Sequence, residues 1–466
     1  RKEGNWMDTA IQNRPRLFSN KDLRKLIIPL VIEQVLALTV GLADVVMVSS
    51  VGENAVSGVS LVDMLNSLFI NVFSALATGG AVVTSQLIGA QDHHKANDSA
   101  KQLLFVTLLT GLVIMGAVIL WQRPMLRLLF GSIDDDVMQN ALTYLFISAL
   151  SYPFLAVYNS GAALFRSMGN SKISMAISLL MNGINIVGNA ICVYGMGMGI
   201  AGVAVPSLIS RGVAAVGILW LLLRSHGAVR LEFHSGFRPD MGLIRRILRI
   251  GIPNGLENSL FSLGRVLVVS IIATFGTVQI AANAVANNFD GIGCIPAQAI
   301  NLAVITVIGQ CVGAQDEQQI RYYTKKLMGY AYLFEILLNV VLLSTLSMTL
   351  KIYNLSPETM RLSTILIFIH DGFAMLMWPL SFTLPNVLRA CNDVRFTMIV
   401  SIFSMWTFRI LFSYIIGVHF GLGAIGVWIA MLLDWAFRII CFVWRYLSGK
   451  WRSLCLASYA RSKVSN

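Results

Sequence analysis

Twelve long apolar stretches constrain this chain more than any other feature. They lie near residues 26–49, 60–88, 103–121, 141–165, 173–195, 199–223, 251–274, 285–312, 327–350, 363–388, 397–418 and 424–447. Crossing the hydrocarbon core of a bilayer takes about 20 mostly apolar residues, and each stretch reaches roughly that length. The first is too long for a signal-peptide core, and no small-residue cleavage site follows it, so it is read as a span. Composition agrees: 56% of the residues are hydrophobic, only 12% are charged, and the mean hydropathy is +0.71. A soluble protein carries about 25% charged residues. The chain is therefore expected to be an all-α integral membrane protein. A water-soluble enzyme, a nucleic-acid binder and a disordered scaffold are excluded. Six cysteines, at 192, 294, 311, 391, 441 and 455, are scattered with no CxxC pair, which argues against a disulfide framework or a structural zinc site.

The net charge of +12 is read as basic loops on one side of the membrane. Of 35 Lys and Arg, 27 fall in the N-terminal segment, the 224–249 connector, the C-terminal tail and the loops near residues 98, 169, 323 and 392. The opposite loops hold four: Arg123, Arg127, Lys351 and Arg361. An even number of spans puts both termini on one side, and this excess makes that side the cytoplasm of a multi-pass inner (plasma) membrane protein.

The chain also repeats itself with a shift of 224 residues. Ser85-Gln-Leu-Ile-Gly-Ala-Gln-Asp92 matches Gly309-Gln-Cys-Val-Gly-Ala-Gln-Asp316, with five identities in eight. Pro29 and Glu33 match Pro253 and Glu257, and Gly197, Gly199, Gly202 and Val203 match Gly421, Gly423, Gly426 and Val427. With one residue dropped, Leu164-Phe-Arg-Ser-Met-Gly-Asn170 matches Val387-Leu-Arg-Ala-Cys-Asn-Asp393. Six spans separate the copies, so they share one orientation and are related by an axis along the membrane normal. The expected organisation is an N-terminal segment (1–25), an N-lobe of six helices (26–223), a basic linker (224–250), a C-lobe of six helices (251–447) and a tail (448–466). Two pseudo-symmetric lobes around a central cleft imply alternating access about a midplane site. There is no P-loop to supply ATP hydrolysis, and no HExxH or Ser/His/Asp constellation.

Charges at membrane depth cost about 2.5–3.5 kcal/mol each, so something must offset them. The acidic ones are Glu33, Asp44, Glu257, Asp371 and Asp434, with Asp63, Asp290 and Glu335 nearer span ends. Glu33 and Asp44 stand eleven residues apart, on one helical stripe about 16 Å long. Pro29 below them removes a backbone hydrogen bond and is expected to kink that helix. Two readings stand: a bendable gate carrying a binding site, or carboxylates hydrogen-bonded inside the lobe. Asn182, Asn185 and Asn189 share one face of the fifth span, able either to ligate a cation and hold a carboxylate or to join helices. Arg409 stands where its copy is Asn185, and Arg265 where its copy is Gly41. The second lobe thus mixes Arg265, Arg409 and Arg438 with Glu257, Asp371 and Asp434. These are read as internal ion pairs or as a site for an anionic or zwitterionic cargo. His370 beside Asp371 is read as a satisfied histidine or a proton relay, and Asp134-Asp135-Asp136 as an external loop.

Gly41-Leu-Ala-Asp-Val-Val-Met47 with Val51-Gly52, the Gly-Ala-Gln-Asp loop and Leu164-Phe-Arg-Ser-Met-Gly-Asn170 resemble the multidrug and toxin extrusion (MATE) family over about residues 25–447. The resemblance implies an antiporter, not an enzyme, that expels small lipophilic or cationic drugs against inward H⁺ or Na⁺. In the DinF-like prokaryotic branch, a first-helix aspartate fifteen residues after a kinking proline is the coupling site, matched here by Pro29 and Asp44. That branch adds a fifth-helix Asn, an acid four residues on and a sixth-helix hydroxyl. Here those positions are Asn185, Asn189 and Ser207, so an amide stands where the branch has its second acid. The other branch keeps an acid in the seventh helix about two turns past a Gly-Pro kink. That place is Phe261 here, with Glu257 one turn early, while Asp371 matches its tenth-helix acid. No cofactor is implied beyond the coupling ion, with Na⁺ placed at Asp44 or at Asp371. Expected partners are drugs and membrane lipids, not nucleic acid, and a monomer is expected. Two rivals remain. A lipid-linked oligosaccharide flippase of the same superfamily is motivated by Arg265 and Arg409. A membrane-embedded transferase would need paired acids with metal-ligand spacing.

Overall fold

The computed structural model describes residues 15–131, 134–232 and 237–455. Residues 1–14 of the N-terminal segment, 233–236 of the linker and 456–466 of the tail lie outside these. The described residues are helical, and twelve helices are long and apolar enough to cross a membrane. The N-lobe is built from α1 (Asn20–Ser49), α2 (Glu53–Gly89), α3 (His93–Phe130), α4 (Asp135–Ser167), α5 (Ser171–Ala190) and α6 (Ala201–Leu223). The C-lobe follows with α7 (Met241–Ala273), α8 (Thr277–Gly293), α9 (Ile295–Gly313), α10 (Glu317–Thr349), α11 (Pro357–Trp378), α12 (Leu384–Ala390), α13 (Val394–Ser404) and α14 (Gly423–Leu447). Short π-helical stretches extend α5, join α11 to α12 and carry α13 on to His419. The outer surface is apolar: Leu120, Leu128, Met348 and Ile352 are all more than 70% exposed. Only a lipid environment covers side chains like these around a whole bundle.

Local chemistry sets the helix ends. Ser19 and Asp22 form a reciprocal capping box that starts α1, with Ser19 N donating to Asp22 Oδ2 at 2.9 Å. The repeated Gly-Ala-Gln-Asp segments are two copies of one turn. Gln91 and Gln315 take left-handed backbone (φ 59° and 54°), and Asp92 and Asp316 then cap the next helix at Lys95 N and Gln319 N, both at 3.0 Å.

The eighth span differs from the single stretch expected at 285–312. It is two helices, α8 and α9, which meet at Cys294. Pro296 occupies the first turn of α9, where its missing N–H does no harm but prevents an unbroken helix from α8. Asn339 of α10 covers the break by donating to Gly293 O at 3.4 Å and to Glu335 O at 2.9 Å. The corresponding helix of the N-lobe, α2, carries Val72 in place of Pro296 and runs straight through.

The two lobes are joined at one end. Gln86 donates to Ala390 O (2.9 Å) and accepts from Arg246 (2.7 Å), while Gln310 donates to Ser167 O (2.7 Å). Gly89 and Gly313 cross here, and a Cβ on either would overlap the facing carbonyl of Gln310 or Gln86. The same end carries the start of α1, where Phe18 N donates to Tyr323 Oη at 2.9 Å, and the last helical turns, where Arg452 pairs with Glu317 at 3.0 Å. Halfway along, Asn71 donates to Ser262 at 2.9 Å. Beyond that point no hydrogen bond or ion pair joins the lobes among the described residues. A central cleft is thus closed at the end bearing the described termini and unlinked toward the other. A small cavity at the closed end is walled by Ser74, Thr78, Asn159, Arg166, Ile305 and Thr306, from both lobes.

Candidate functional site

The first span supplies Asp44 from its last third, in a helix whose first third contains Pro29. Asp44 is half-buried, and Asn189 of α5 donates to its Oδ1 at 2.8 Å. The periodicity of α5 stacks Asn185 one turn below, its Oδ1 3.3 Å from Asn189 Nδ2. Asn185 in turn donates to Ser207 Oγ of α6 at 2.7 Å. Asp44, Asn189, Asn185 and Ser207, drawn from three helices, therefore form one continuous chain. Asn189 is fully buried, and its Oδ1 has no hydrogen-bond donor. That oxygen and the second oxygen of Asp44 are free to accept a proton or ligate a small cation.

A second acid, which sequence reasoning left among the span-end residues, joins this site. Asp63 of α2 is exposed and lies within electrostatic reach of Asp44. Asn66 and Tyr144 donate to its Oδ1 at 3.2 and 3.4 Å, and Tyr152 bonds Asn66 at 2.7 Å. Arg211 of α6 is the nearby cation, held by Ser151 at 2.6 Å. The site therefore has two carboxylates even though Asn189 replaces the acid expected on α5. The available signal was a lone Asp in an otherwise apolar helix. Its partner helix could not be told from α2 alone.

Glu33 is not part of this group. Arg166 of α4 pairs with it at 3.3 Å and Ser174 of α5 donates to it at 3.0 Å, so the first of the two sequence readings, a shared gate with Asp44, is replaced by an internal pair. The C-lobe repeats the arrangement: Glu257 of α7 pairs with Arg389 of α12 at 2.5 Å. The arginine of the Leu164–Asn170 motif and its copy thus have one structural job, neutralising the glutamate four residues beyond a helix proline.

Asp371 is fully buried and bonds the ring of its neighbour His370 at 2.7 Å. His370 bridges to Asp290 of α8 at 3.0 Å, packed between Trp428 and Trp435. No contact links Asp371 to Glu257, so the two C-lobe acids singled out from the sequence do not converge. The internal pairing expected of the C-lobe arginines is present for Arg409, which shares Asp434 with Arg438, and not for Arg265. Asp434 is taken by Arg438 at 2.9 Å and by Ser404, leaving Arg409 at 3.9 Å from it. Arg265 is exposed and has no hydrogen bond or ion pair among the described residues.

Comparisons with known proteins agree with this architecture. The MatE family model matches twice, over residues 29–191 and 253–415, so its two copies start 224 residues apart. Among curated proteins, a "Probable multidrug resistance protein NorM" of Thermotoga maritima is 24% identical over 95% of both chains. An "Uncharacterized transporter YisQ" of Bacillus subtilis is 25% identical over 91% of this chain and 93% of its own. Among solved structures, one described as the outward-facing conformation of a multidrug resistance MATE family transporter superposes with a TM-score of 0.86 at 22% identity. It covers 93% of this chain and 96% of its own. A MATE crystal structure in the bent conformation gives a TM-score of 0.85 at 21% identity, over 94% and 97% of the two chains.

Proposed function

The chain belongs to the MATE family of membrane transporters, and on that premise we propose that it exports lipophilic, cationic drugs in exchange for inward H⁺ or Na⁺. The observation that carries this reading is Asp44: a carboxylate at membrane depth, hydrogen-bonded to Asn189 on one oxygen and open on the other. Together with Asp63 it makes the N-lobe wall of the cleft anionic, and Arg211 offsets only one of the two charges. A positive guest is favoured there because a charge held away from water is stabilised by its opposite.

Exchange follows from competition. With the cleft open away from the termini, the coupling ion binds Asp44 and lowers the attraction for a cationic drug, which leaves. With the cleft open on the other side, the ion is released and the acids take up drug again. The rocking needed is the parting of Gly89 and Gly313 and of the Gln86 and Gln310 contacts at the closed end. We place that end, with both termini, in the cytoplasm of the plasma membrane, because most Lys and Arg lie there. One charge moved inward supplies about 2.3 kcal/mol per 100 mV. One-for-one exchange with a monovalent cationic drug cancels that contribution, and a tenfold ion gradient then supports about a tenfold drug gradient.

The test is purified protein in liposomes, with efflux of an ethidium-like cation driven in turn by a pH gradient and by a Na⁺ gradient. Asp44→Asn is expected to abolish ion-dependent efflux and to leave the protein folded. Full ion-dependent efflux by Asp44→Asn would reject the exchange mechanism.

A further inference from the structure

We propose that the C-lobe carries an oxyanion site, for a carboxylate, sulfonate or phosphate group of a cargo with an apolar body, built on the counterpart of the Asp44 site with its sign reversed. The inference deepens the transport function proposed above and rests on it. The 224-residue shift gives Val268 for Asp44, Asn287 for Asp63, Arg409 for Asn185, Met431 for Ser207, Ser413 for Asn189 and Asp290 for Asn66. Gly41, one turn below Asp44, becomes Arg265. Arg265, Val268, Asn287, Arg409 and Met431 line a single cavity with Asn283 and Trp428, and Ser413 and Asp290 are not in its wall. In the C-lobe, both carboxylates are gone and two guanidinium groups have entered.

Neither arginine has a carboxylate to itself, since the one that pairs with Arg409 also pairs with Arg438. No carboxylate lines the cavity. Of the acids beyond its wall, Asp434 is held by Arg438 at 2.9 Å, and Asp290 by His370 at 3.0 Å and Cys294 at 3.3 Å. Arg409 stands 3.9 Å from Asp434 and stacks near the ring of Phe261, and its Nε is buried without an acceptor. Arg265 is exposed, acts on Asp290 only through space, and has no hydrogen bond or ion pair among the described residues. Guanidinium groups present forked donors that match planar oxyanions. Val268, Met431 and Trp428 offer the apolar body a dry wall. A cargo that places a cationic group against Asp44 and Asp63 and an oxyanion against Arg265 and Arg409 would satisfy both lobes at once.

Two rhodamine dyes that differ only in a free carboxylate against its methyl ester isolate the anionic group. Their binding to the purified protein is read by fluorescence polarisation, and their efflux in phosphatidylcholine liposomes by quenching. The free acid is expected to bind wild type about tenfold more tightly than the ester. Arg265→Gln and Arg409→Gln should each remove that preference while leaving ester binding within about twofold. Equal binding of the two dyes to wild type overturns the site, whatever the variants do. Parallel loss of both dyes in the Gln variants, unrepaired by Arg265→Lys and Arg409→Lys, also overturns it. Phosphatidylglycerol added to the vesicles separates cargo from lipid. If it displaces the free acid and the free acid is never transported, the occupant is a lipid headgroup and the cargo reading falls. A retained acid preference with ester efflux insensitive to any ion gradient would sink the Asp44 exchange and spare this site.

Discussion

Glu33 meets Arg166 in the N-lobe, and Glu257 meets Arg389 in the C-lobe. The Gln91 and Gln315 turns repeat with the same left-handed backbone, and Pro29 and Pro253 sit in equivalent helices. The polar positions around Asp44 nevertheless differ from their C-lobe equivalents: Asp44 corresponds to Val268, Asp63 to Asn287, and Asn185 to Arg409. A third contrast concerns the backbone. α2 is continuous, whereas its counterpart breaks at Cys294 under Pro296, beside buried Glu335 and Asn339. Residues retained in both copies are those that neutralise a charge or turn the chain within a lobe. Residues that diverged line space open to a guest. Packing constraints are met inside each lobe and are therefore the same twice, while a guest spanning the cleft needs different chemistry from each wall.

The comparison can be broken most forcefully at the shared ion pairs. Arg166→Ala and Arg389→Ala each leave a buried glutamate unpaired, and the expected cost is about 3–5 kcal/mol in either lobe. Thermal unfolding in detergent should show a large drop for both, partly reversed when Glu33→Gln or Glu257→Gln is added. A drop in one lobe only would mean that the pairs are not equivalent. Next comes the acid itself. Asp44→Asn removes one coupled ion, worth about 1.4 kcal/mol per tenfold ion gradient, so under such a gradient the steady-state dye gradient in liposomes should fall by about tenfold. Val268→Asp in that background should not restore it, because Ser413 and Met431 stand at the positions of Asn189 and Ser207. Restoration would erase the functional difference between the lobes.

A structural effect is expected where the lobes touch. Gly89→Ala and Gly313→Ala push a methyl group into a facing carbonyl, at a cost of about 1–3 kcal/mol to the closed end. Spin-label distances across that end should lengthen comparably for both variants, since the crossing is nearly symmetric. The finest discrimination is a pair of double-mutant cycles on the two ion pairs. The Glu257–Arg389 contact is shorter than Glu33–Arg166 (2.5 against 3.3 Å) and its side chains are less exposed. Its coupling energy should be larger by about 0.5–1 kcal/mol. Equal couplings would show that water reaches both pairs alike.

Much of this molecule was legible as text. Run length fixes that a helix crosses the membrane, because lipid sets the length. A constant shift fixes the duplication, and the 3.6-residue period places Asn185 and Asn189 on one face. Asp44 stood out as an acid in an apolar helix, whereas its grouping with Asn185, Asn189 and Ser207 was implied by the family resemblance. Glu33 was misplaced for an equally physical reason. Sharing a stripe with Asp44 says which way both residues point but not what faces them one and three turns apart. Arg166 and Ser174 face the lower position, while Asn189 and Asp63 face the upper.

What the amino-acid order determined by itself is the set of helices, their repetition and the polar stripe on each, all governed by contacts within about one helical turn. Which stripes meet was decided only in three dimensions. That includes the return of Asp63 to the Asp44 site, the pairing of Glu257 with Arg389 across 132 positions, and the convergence of Arg265 and Arg409 on one cavity. These depend on how each helix rotates and tilts against several neighbours at once. That rotation is set by the summed packing of apolar faces, which no single segment encodes.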